Sequence, residues 1–497
     1  MIELKNVHFT YGADGDIGEN DGFIPAETDA SAGGEGANGS LHDLSLTIHD
    51  GELVLLTGES GCGKTTVLRL INGLIPNFYE GKLEGSVSVD GSDVSKAELY
   101  DTAKHVSTVF QNPRSQFFNV DTTSELAFAC ENRGMAEEEI LRRMDSTIKD
   151  MQLAPLMGRS LFQLSGGQKQ KIACASVAVT GNQIILLDEP SANLDLRTIE
   201  GLASLLKKWK AEGKTIVVSE HRIAYLWGLA DRTIILRGGM IARELSRSQM
   251  DAATDAELHE LGLRTRKNFP VTGNAGPAPA TKRQDGLTVV TPSLSLRDFR
   301  YKYKRGPVAL DIPRMDIPAG KISAITGDNG EGKTTLLTCL CGLGHRCKGT
   351  LVYDGRAYRR RARQKLVYLV MQDVNHQLFA ESVLDEVLIS QGEENEEEAR
   401  RILAKLDLAE FADRHPQSLS GGQKQRVAVA CAIASGRDIM LFDEPTSGLD
   451  WTHMKQIGAI LSQLKEMGKT VIVVTHDREL VKECCDCEIH LAEYNRA

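Results

Sequence analysis

No run of apolar residues in this 497-residue chain approaches the roughly 18 to 20 needed to span a bilayer as a helix. The first residues, Met1-Ile2-Glu3-Leu4-Lys5, lack the apolar core of a signal peptide. The chain is therefore expected to stay in the cytoplasm. There is no excess of positive charge either: 58 Lys and Arg face 68 Asp and Glu, a formal net charge of -10. A general basic footprint for nucleic acid is absent, although a local patch can oppose the net sign. The ten cysteines show no repeated disulfide-like spacing, which fits a reducing compartment. Cys484-Cys485-Asp486-Cys487 has no second ligand pair nearby, so buried or idle thiols are expected there rather than a metal. Sustained heptads are missing, which excludes a long coiled coil. Between Tyr11 and Leu41, lysine and arginine are missing as well. This Gly-, Asp-, Glu-, Ala- and Ser-rich stretch, about residues 12–40, reads as a surface insertion.

The chain does have glycine in a telling arrangement. Gly58-Glu59-Ser60-Gly61-Cys62-Gly63-Lys64-Thr65-Thr66 follows the apolar run Leu53 to Leu56 and precedes the helix-like Val67 to Ile71. Glycines let the backbone turn tightly enough to aim several N–H groups at one anion, and the following helix adds its positive dipole end. Lys64 is placed to reach outer phosphates and Thr65 to offer a hydroxyl to Mg²⁺. Cys62 lies inside this loop at a helix N-terminus, where a thiol's pKa is commonly lowered.

Internal repetition sets the organisation. Gly327-Asp328-Asn329-Gly330-Glu331-Gly332-Lys333-Thr334-Thr335 repeats the phosphate loop, again between an apolar strand and a helix. Leu164-Ser165-Gly166-Gly167-Gln168 returns as Leu419-Ser420-Gly421-Gly422-Gln423, and Ile184 to Pro190 returns as Ile439 to Pro445. From serine to aspartate (Asp188, Asp443) the separation is 23 residues in both halves, and from aspartate to histidine (His221, His476) it is 33 in both. Shared order with shared spacing predicts two domains, residues 1–262 and 294–497, joined by a Pro- and Gly-rich linker at 263–293.

Alternating strands and helices in each half predict an α/β core with a parallel sheet. Ile2 to Tyr11 and Leu294 to Tyr303 read as matching strands, and Gly73 and Gly342 as glycines just past the ends of the phosphate-loop helices. Glycine before the helices at Gln170 and Gln425 is expected to leave N-terminal amides bare, a second potential anion site. Asp188 and Asp443 end apolar runs, at the sheet edge where ligands collect. Glu189 and Glu444 follow, placed to orient or deprotonate an attacking water. His221 and His476 recur after further apolar strands, as γ-phosphate contacts.

Together these residues resemble the ATP-binding cassette (ABC) ATPases along almost the whole chain. The Leu-Ser-Gly-Gly-Gln signature separates that family from other P-loop proteins. The resemblance implies two P-loop NTPase (ABC) domains in tandem. Each has a mainly parallel sheet core, an antiparallel β part and a helical signature subdomain. It also implies that Gln111 and Gln372 sense Mg²⁺ and face a membrane partner, that Tyr11 and Tyr303 stack on adenine, and that Asp195 and Asp450 belong to the D-loops. In that family two cassettes pair head to tail. One composite ATP site then joins Tyr11, Gly58, Ser60, Gly61, Gly63, Lys64, Thr65, Thr66, Gln111, Asp188, Glu189 and His221 to Ser420, Gly422 and Asp450. The other joins Tyr303, Gly327, Asn329, Gly330, Gly332, Lys333, Thr334, Thr335, Gln372, Asp443, Glu444 and His476 to Ser165, Gly167 and Asp195. Mg²⁺ is expected at Thr65, Gln111 and Asp188, and at Thr334, Gln372 and Asp443. Both glutamates are present, so two hydrolytic sites are expected. Asn193 in place of Gly448, and Glu220-His221-Arg222 in place of Thr475-His476-Asp477, make unequal rates an expectation too.

Gln111 to Phe118 and Gln372 to Phe379 share Gln-x-x-x-x-Gln-x-Phe, followed by acids at Glu125 and at Asp385-Glu386. Both segments look like the cassettes of energy-coupling factor (ECF) importers, as do Asn72 to Gly81 and the Glu220-His221 pair. The resemblance implies the ATPase subunit of an importer for a vitamin or metal ion. It would sit peripherally on the cytoplasmic side of the membrane, with a T-type transmembrane subunit and a substrate-binding membrane subunit, and no nucleic acid. The alternatives are the fused ATPase of a sugar importer and, from another class, a soluble ABC-F-like translation factor. The latter class usually carries a long charged helical linker, whereas the linker here is short.

Overall fold

A computed structural model describes residues 1–12, 39–192, 194–267, 293–304, 306–419 and 421–497. Most of the insertion and of the linker, with Asn193 and Ser420, lies outside the described residues. The chain divides into two units. The first comprises Met1–Asn268 with Gly448–Thr452, the second Phe269–Ser447 with His453–Ala497.

In the first unit the strands are β1 (Ile2–Tyr11), β2 (Leu41–Ile48), β3 (Leu53–Gly58), β4 (Gly81–Val89), β5 (Ser92–Asp93), β6 (Val106–Val109), β7 (Ile184–Asp188), β8 (Thr215–Ser219), β9 (Arg232–Arg237) and β10 (Met240–Ser246). One sheet runs β2-β1-β4-β5 and is antiparallel; the other runs β10-β9-β3-β8-β7-β6 and is parallel apart from its β10 edge. β3, β7 and β8 are buried along their whole length, as strands covered on both faces must be. Successive side chains point to opposite faces. Leu53, Leu55, Ile185 and Leu187 pack into the core on one side, Val54, Leu56, Ile184 and Leu186 into that of the antiparallel sheet on the other.

The second unit repeats this plan with β11 (Ser293–Lys302), β12 (Val308–Pro318), β13 (Ile322–Thr326), β14 (Lys348–Tyr353), β15 (Arg356–Tyr358), β16 (Val367–Val370), β17 (Ile439–Asp443), β18 (Thr470–Val474) and β19 (Cys487–His490). The antiparallel sheet is β12-β11-β14-β15; the other, β16-β17-β18-β13-β19, is parallel throughout. In both units the strand that ends in the phosphate loop lies beside the strand that ends before the histidine, which lies beside the strand that ends in the aspartate. Three chain segments that are separate in sequence thus exit at one C-terminal sheet edge.

Each phosphate-loop helix, Lys64–Ile71 and Lys333–Leu340, is followed at its C′ position by a left-handed glycine, Gly73 (φ 78°) and Gly342 (φ 74°), as the sequence predicts. One expectation shifts at the linker. Leu263, Arg264 and Thr265, read as its beginning, are buried, and the Arg264 guanidinium donates to the Leu449 carbonyl. The chain stays packed on the first unit that far because it supplies both an apolar side chain and a satisfied cation.

Candidate nucleotide site

Gly58 ends β3 and Gly327 directly follows β13, with φ of 144° and 153°. A Cβ on Gly58 would fall 2.1 Å from the Leu236 carbonyl oxygen, so only glycine fits. Gly63 and Gly332, with φ of 102° and 94°, then start the helices that bear the lysines. Lys64 Nζ curls back to donate to the carbonyls of Gly58 (3.1 Å) and Glu59 (2.9 Å). Lys333 does the same to Gly327 (2.8 Å) and Asp328 (2.9 Å). Each loop therefore encloses its own ammonium at its centre. Ser60, Gly61, Gly330 and Asn329 complete the loops, and the Asn329 side-chain oxygen lies 3.1 Å from His476 Nε2.

Asp188 ends β7 beside this loop. Its Oδ2 accepts the Thr65 hydroxyl at 2.9 Å, while its Oδ1 is buried with no hydrogen-bond partner. Burial, reinforced by the neighbouring Glu189 charge, pushes the Asp188 carboxyl up to about 6. Asp443 is displaced in the same direction by burial, opposed by the Thr334 hydroxyl and Lys333. Glu189 accepts from Gln111 Nε2 at 2.9 Å and lies 3.3 Å from His221 Nε2. Burial alone would raise this carboxyl, but the His221 charge and hydrogen bond, with Lys64, outweigh it and hold it low. Glu444 mirrors part of this, 3.4 Å from His476 Nε2 and accepting the His476 amide at 3.2 Å. Gln372 follows β16 on the exposed surface.

Both glutamates occupy the left-handed region, Glu189 at φ 40° and Glu444 at φ 46°. A non-glycine residue there carries about 1–3 kcal/mol of strain. The conformation recurs at the matched position in both copies, as it does at Asn6 and Asp298, at Asp90 and Asp354 and at Gln152 and Asp407, so it belongs to the repeated backbone. A carboxylate kept ionised and fixed by histidine and glutamine can orient and deprotonate a water.

The Tyr11 hydroxyl lies 3.0 Å from Thr66 Oγ1 and the Tyr303 hydroxyl 2.8 Å from Thr335 Oγ1, so each aromatic leans on its own phosphate-loop helix. Asp195 caps the helix Leu196–Ala211 through the Thr198 amide (2.8 Å). Asp450, within the first unit, accepts the Ser60 amide at 2.7 Å. Gly422 lies in the helix Gly421–Ala434, and Ser420 is outside the described residues.

Two expectations change. The helix after Ser165 begins at Gly166, so Gly166 and Gly167 form its first turn rather than preceding it. Ser165 Oγ accepts the Gln168 amide and Gln168 Oε1 accepts the Ser165 amide, so the third helical amide is capped, while those of Gly166 and Gly167 lie outside the box. Cys62 is the second. Burial pushes its thiol up and outweighs Lys64, whose Nζ lies 3.8 Å away. A loop cysteine is activated only when solvent can reach it, and this one is buried. Among the described residues no cluster of three or more metal-ligating side chains occurs, at Cys484 to Cys487 or elsewhere.

Sequence reading missed two residues of the site. Buried Glu220 accepts the amides of Ser191 (3.2 Å), His221 (2.8 Å) and Arg222 (3.0 Å) and the Tyr225 hydroxyl (3.0 Å), pinning the histidine loop. Its difference from Thr475 and its place in the Glu220-His221 pair were the signals. Arg69 donates to the Tyr11 hydroxyl at 3.1 Å and lies 4.0 Å over the Tyr79 ring, while the second copy has Thr338 in its place.

The ABC transporter family model matches residues 41–192 and 310–447. An ABC transporter ATP-binding protein of Treponema denticola is 42% identical over 488 residues, covering 98% of this chain and 94% of its own length. One from Methanosarcina acetivorans is 30% identical, covering 89% of this chain and 80% of its own. Among solved structures, an archaeal ribosome recycling factor in complex with an archaeal ribosomal stalk protein matches with TM-score 0.57 and 22% identity, over 90% of this chain and 84% of that one. At that identity the likeness is one of fold.

Proposed function

Because the chain belongs to the ABC transporter family, whose domain it carries twice, and is an ATPase of that family, we propose that it energises an ECF-type importer for a vitamin or metal ion. The observation that carries this reading is a pair of matched aromatic knobs. Phe118 and Phe379 are each 75% exposed. Both are tied down through the backbone. Glu125 accepts the amides of Phe118 (3.1 Å) and Asn119 (2.9 Å), and Glu386 those of Phe379 (2.8 Å) and Ala380 (2.7 Å). Both carboxylates are buried, at 3% and 4% exposure. Holding a large apolar ring rigidly in water favours a partner that covers it. Seven residues after the glutamine in each copy, such a knob suits the helices of a T-type transmembrane subunit, with a second membrane subunit selecting the solute. Among the described residues no helix is long and apolar enough to cross a membrane; in this reading the chain acts peripherally, on the cytoplasmic side.

At each phosphate loop the backbone amides and the lysine bind ATP. The oxygen-only set of Thr65 and Asp188 fits Mg²⁺, since Asp188 Oδ1 is buried and unpartnered and the cation prefers oxygen ligands. Gln111 is the third residue assigned to it; Thr334, Asp443 and Gln372 are the counterparts. When bound, Mg²⁺ neutralises charge developing on the phosphate oxygens. Glu189, steadied by His221 and Gln111, takes a proton from the attacking water, and Glu444 with His476 does so in the second copy. The duplication supports treating the two copies as an intramolecular pair.

Co-purification from detergent-solubilised cells tests the reading. An integral membrane protein should be retained, and Phe118→Ser with Phe379→Ser should reduce its recovery at least tenfold without lowering basal hydrolysis. Retention of ribosomes with no membrane protein would overturn it.

A further inference from the structure

Arg363 is fully buried in the second unit. Its guanidinium donates to the carbonyls of Tyr358 (3.2 Å), Cys339 (3.0 Å) and Gly349, and lies 4.4 Å over the Phe299 ring. These carbonyls accept three of its five N–H hydrogens and carry no charge to offset its own. None of the described carboxylates forms an ion pair with it, and an unpaired buried cation is costly. The Cys347 thiol lies on it, 4.0 Å from an Arg363 nitrogen, and the Cys339 thiol is within its field as well.

Cys347 is only half-buried, and Cys339 stands next to it at the end of the helix Lys333–Leu340. Cys339 Sγ and Cys347 Cβ come to 2.9 and 3.5 Å of one point, where a Cβ on Gly344 would sit. Glycine at 344 is what lets the two approach. The two thiols interact with each other, and Cys347 Sγ also lies 3.3 Å from the Lys348 carbonyl, to which it donates while it is a thiol. The Cys339 hydrogen bond, opposed by partial burial and helped by Arg363, brings Cys347 down to about 7. Tyr301 and the Cys341 thiol are the other titratable groups in reach, both shifted upward by burial. The first copy has Leu70 where the second has Cys339, so the pair stands outside the duplicated nucleotide machinery.

We propose that Cys347 and Cys339 form a hydroperoxide-reactive pair, with Cys347 as attacking thiolate and Cys339 as resolving thiol. The Cys347 sulfur attacks a peroxide oxygen, the O–O bond breaks, and the departing alkoxide or hydroxide takes up a proton, leaving a sulfenic acid on Cys347. Cys339 Sγ then attacks that sulfur. The S–O bond breaks and hydroxide leaves with the Cys339 proton as water. The two thiols lose two electrons and the peroxide gains them. The resulting disulfide ties the last turn of the phosphate-loop helix to the residue before β14.

The test uses the full chain with iodoacetamide and hydrogen peroxide, read by peptide mass spectrometry. At pH 7, Cys347 should be alkylated about tenfold or more faster than Cys484 or Cys485, with its rate half-maximal near pH 7. One equivalent of peroxide should yield a peptide joining Cys339 to Cys347, two hydrogens lighter. In Cys339→Ser, the sulfenic acid should persist and be trapped by dimedone. Alkylation of Cys347 that rises only above pH 8, or peroxide giving sulfinic acid on Cys347 with Cys339 still free, would overturn the proposal; the last two readouts on the wild-type chain stand even if the variant fails to fold.

Discussion

Glu189 and Glu444 show what single positions contribute. Each follows a buried aspartate, turns into the left-handed region and is held by a histidine. A general base is worth about 10²–10⁴-fold at its own site. Glu189→Gln alone and Glu444→Gln alone should therefore each lower steady-state hydrolysis by about half or more, with ATP binding kept. If either change leaves turnover untouched in a phosphate-release assay, two working sites are ruled out. The glutamates, lysines and histidines are legible in the sequence because their spacing recurs. Glu220 is not, because its acceptor role depends on Ser191 and Tyr225 being folded against it. The raised thiol of Cys62 follows from burial, which loop composition does not report.

At the scale of elements, the central parallel strands were readable as unbroken apolar runs, since burial on both faces leaves no polar alternation. Leu55 is fully buried in β3 directly before the phosphate loop. Leu55→Ala should cost about 2–5 kcal/mol, seen as a lower midpoint in chemical denaturation. Loss under 1 kcal/mol would mean the strand is not the packed core described. The strands Ile2–Tyr11 and Ser293–Lys302 were also readable, but not their partners. β1 pairs with β2 and β4, reached across the insertion and the phosphate-loop helix. Such pairings follow from which apolar faces meet, and local pattern is silent on that. The signature helix differs for a similar reason: helix propensity disfavours two glycines, yet the Ser165–Gln168 capping box starts the helix with them.

For the whole molecule, duplication predicts two nucleotide sites in one chain. Lys64→Ala and Lys333→Ala, made separately, should each reduce the number of bound ATP molecules from two to one in equilibrium titration. Removal of both by a single change would mean that the copies do not bind independently.

The family, the two copies, the α/β class and most of the site are determined by the sequence itself. Phosphate binding needs glycine, lysine and hydroxyl residues at close fixed intervals, and such short-range constraints survive as motifs. Only the tertiary structure decided that Glu220 pins the histidine loop, that Arg69 braces Tyr11 in one copy alone, that Cys62 is quenched, and that Arg363 faces the Cys339–Cys347 pair. Each of these depends on burial or on contact between residues distant in the chain, and both are set by packing rather than by local order along the sequence.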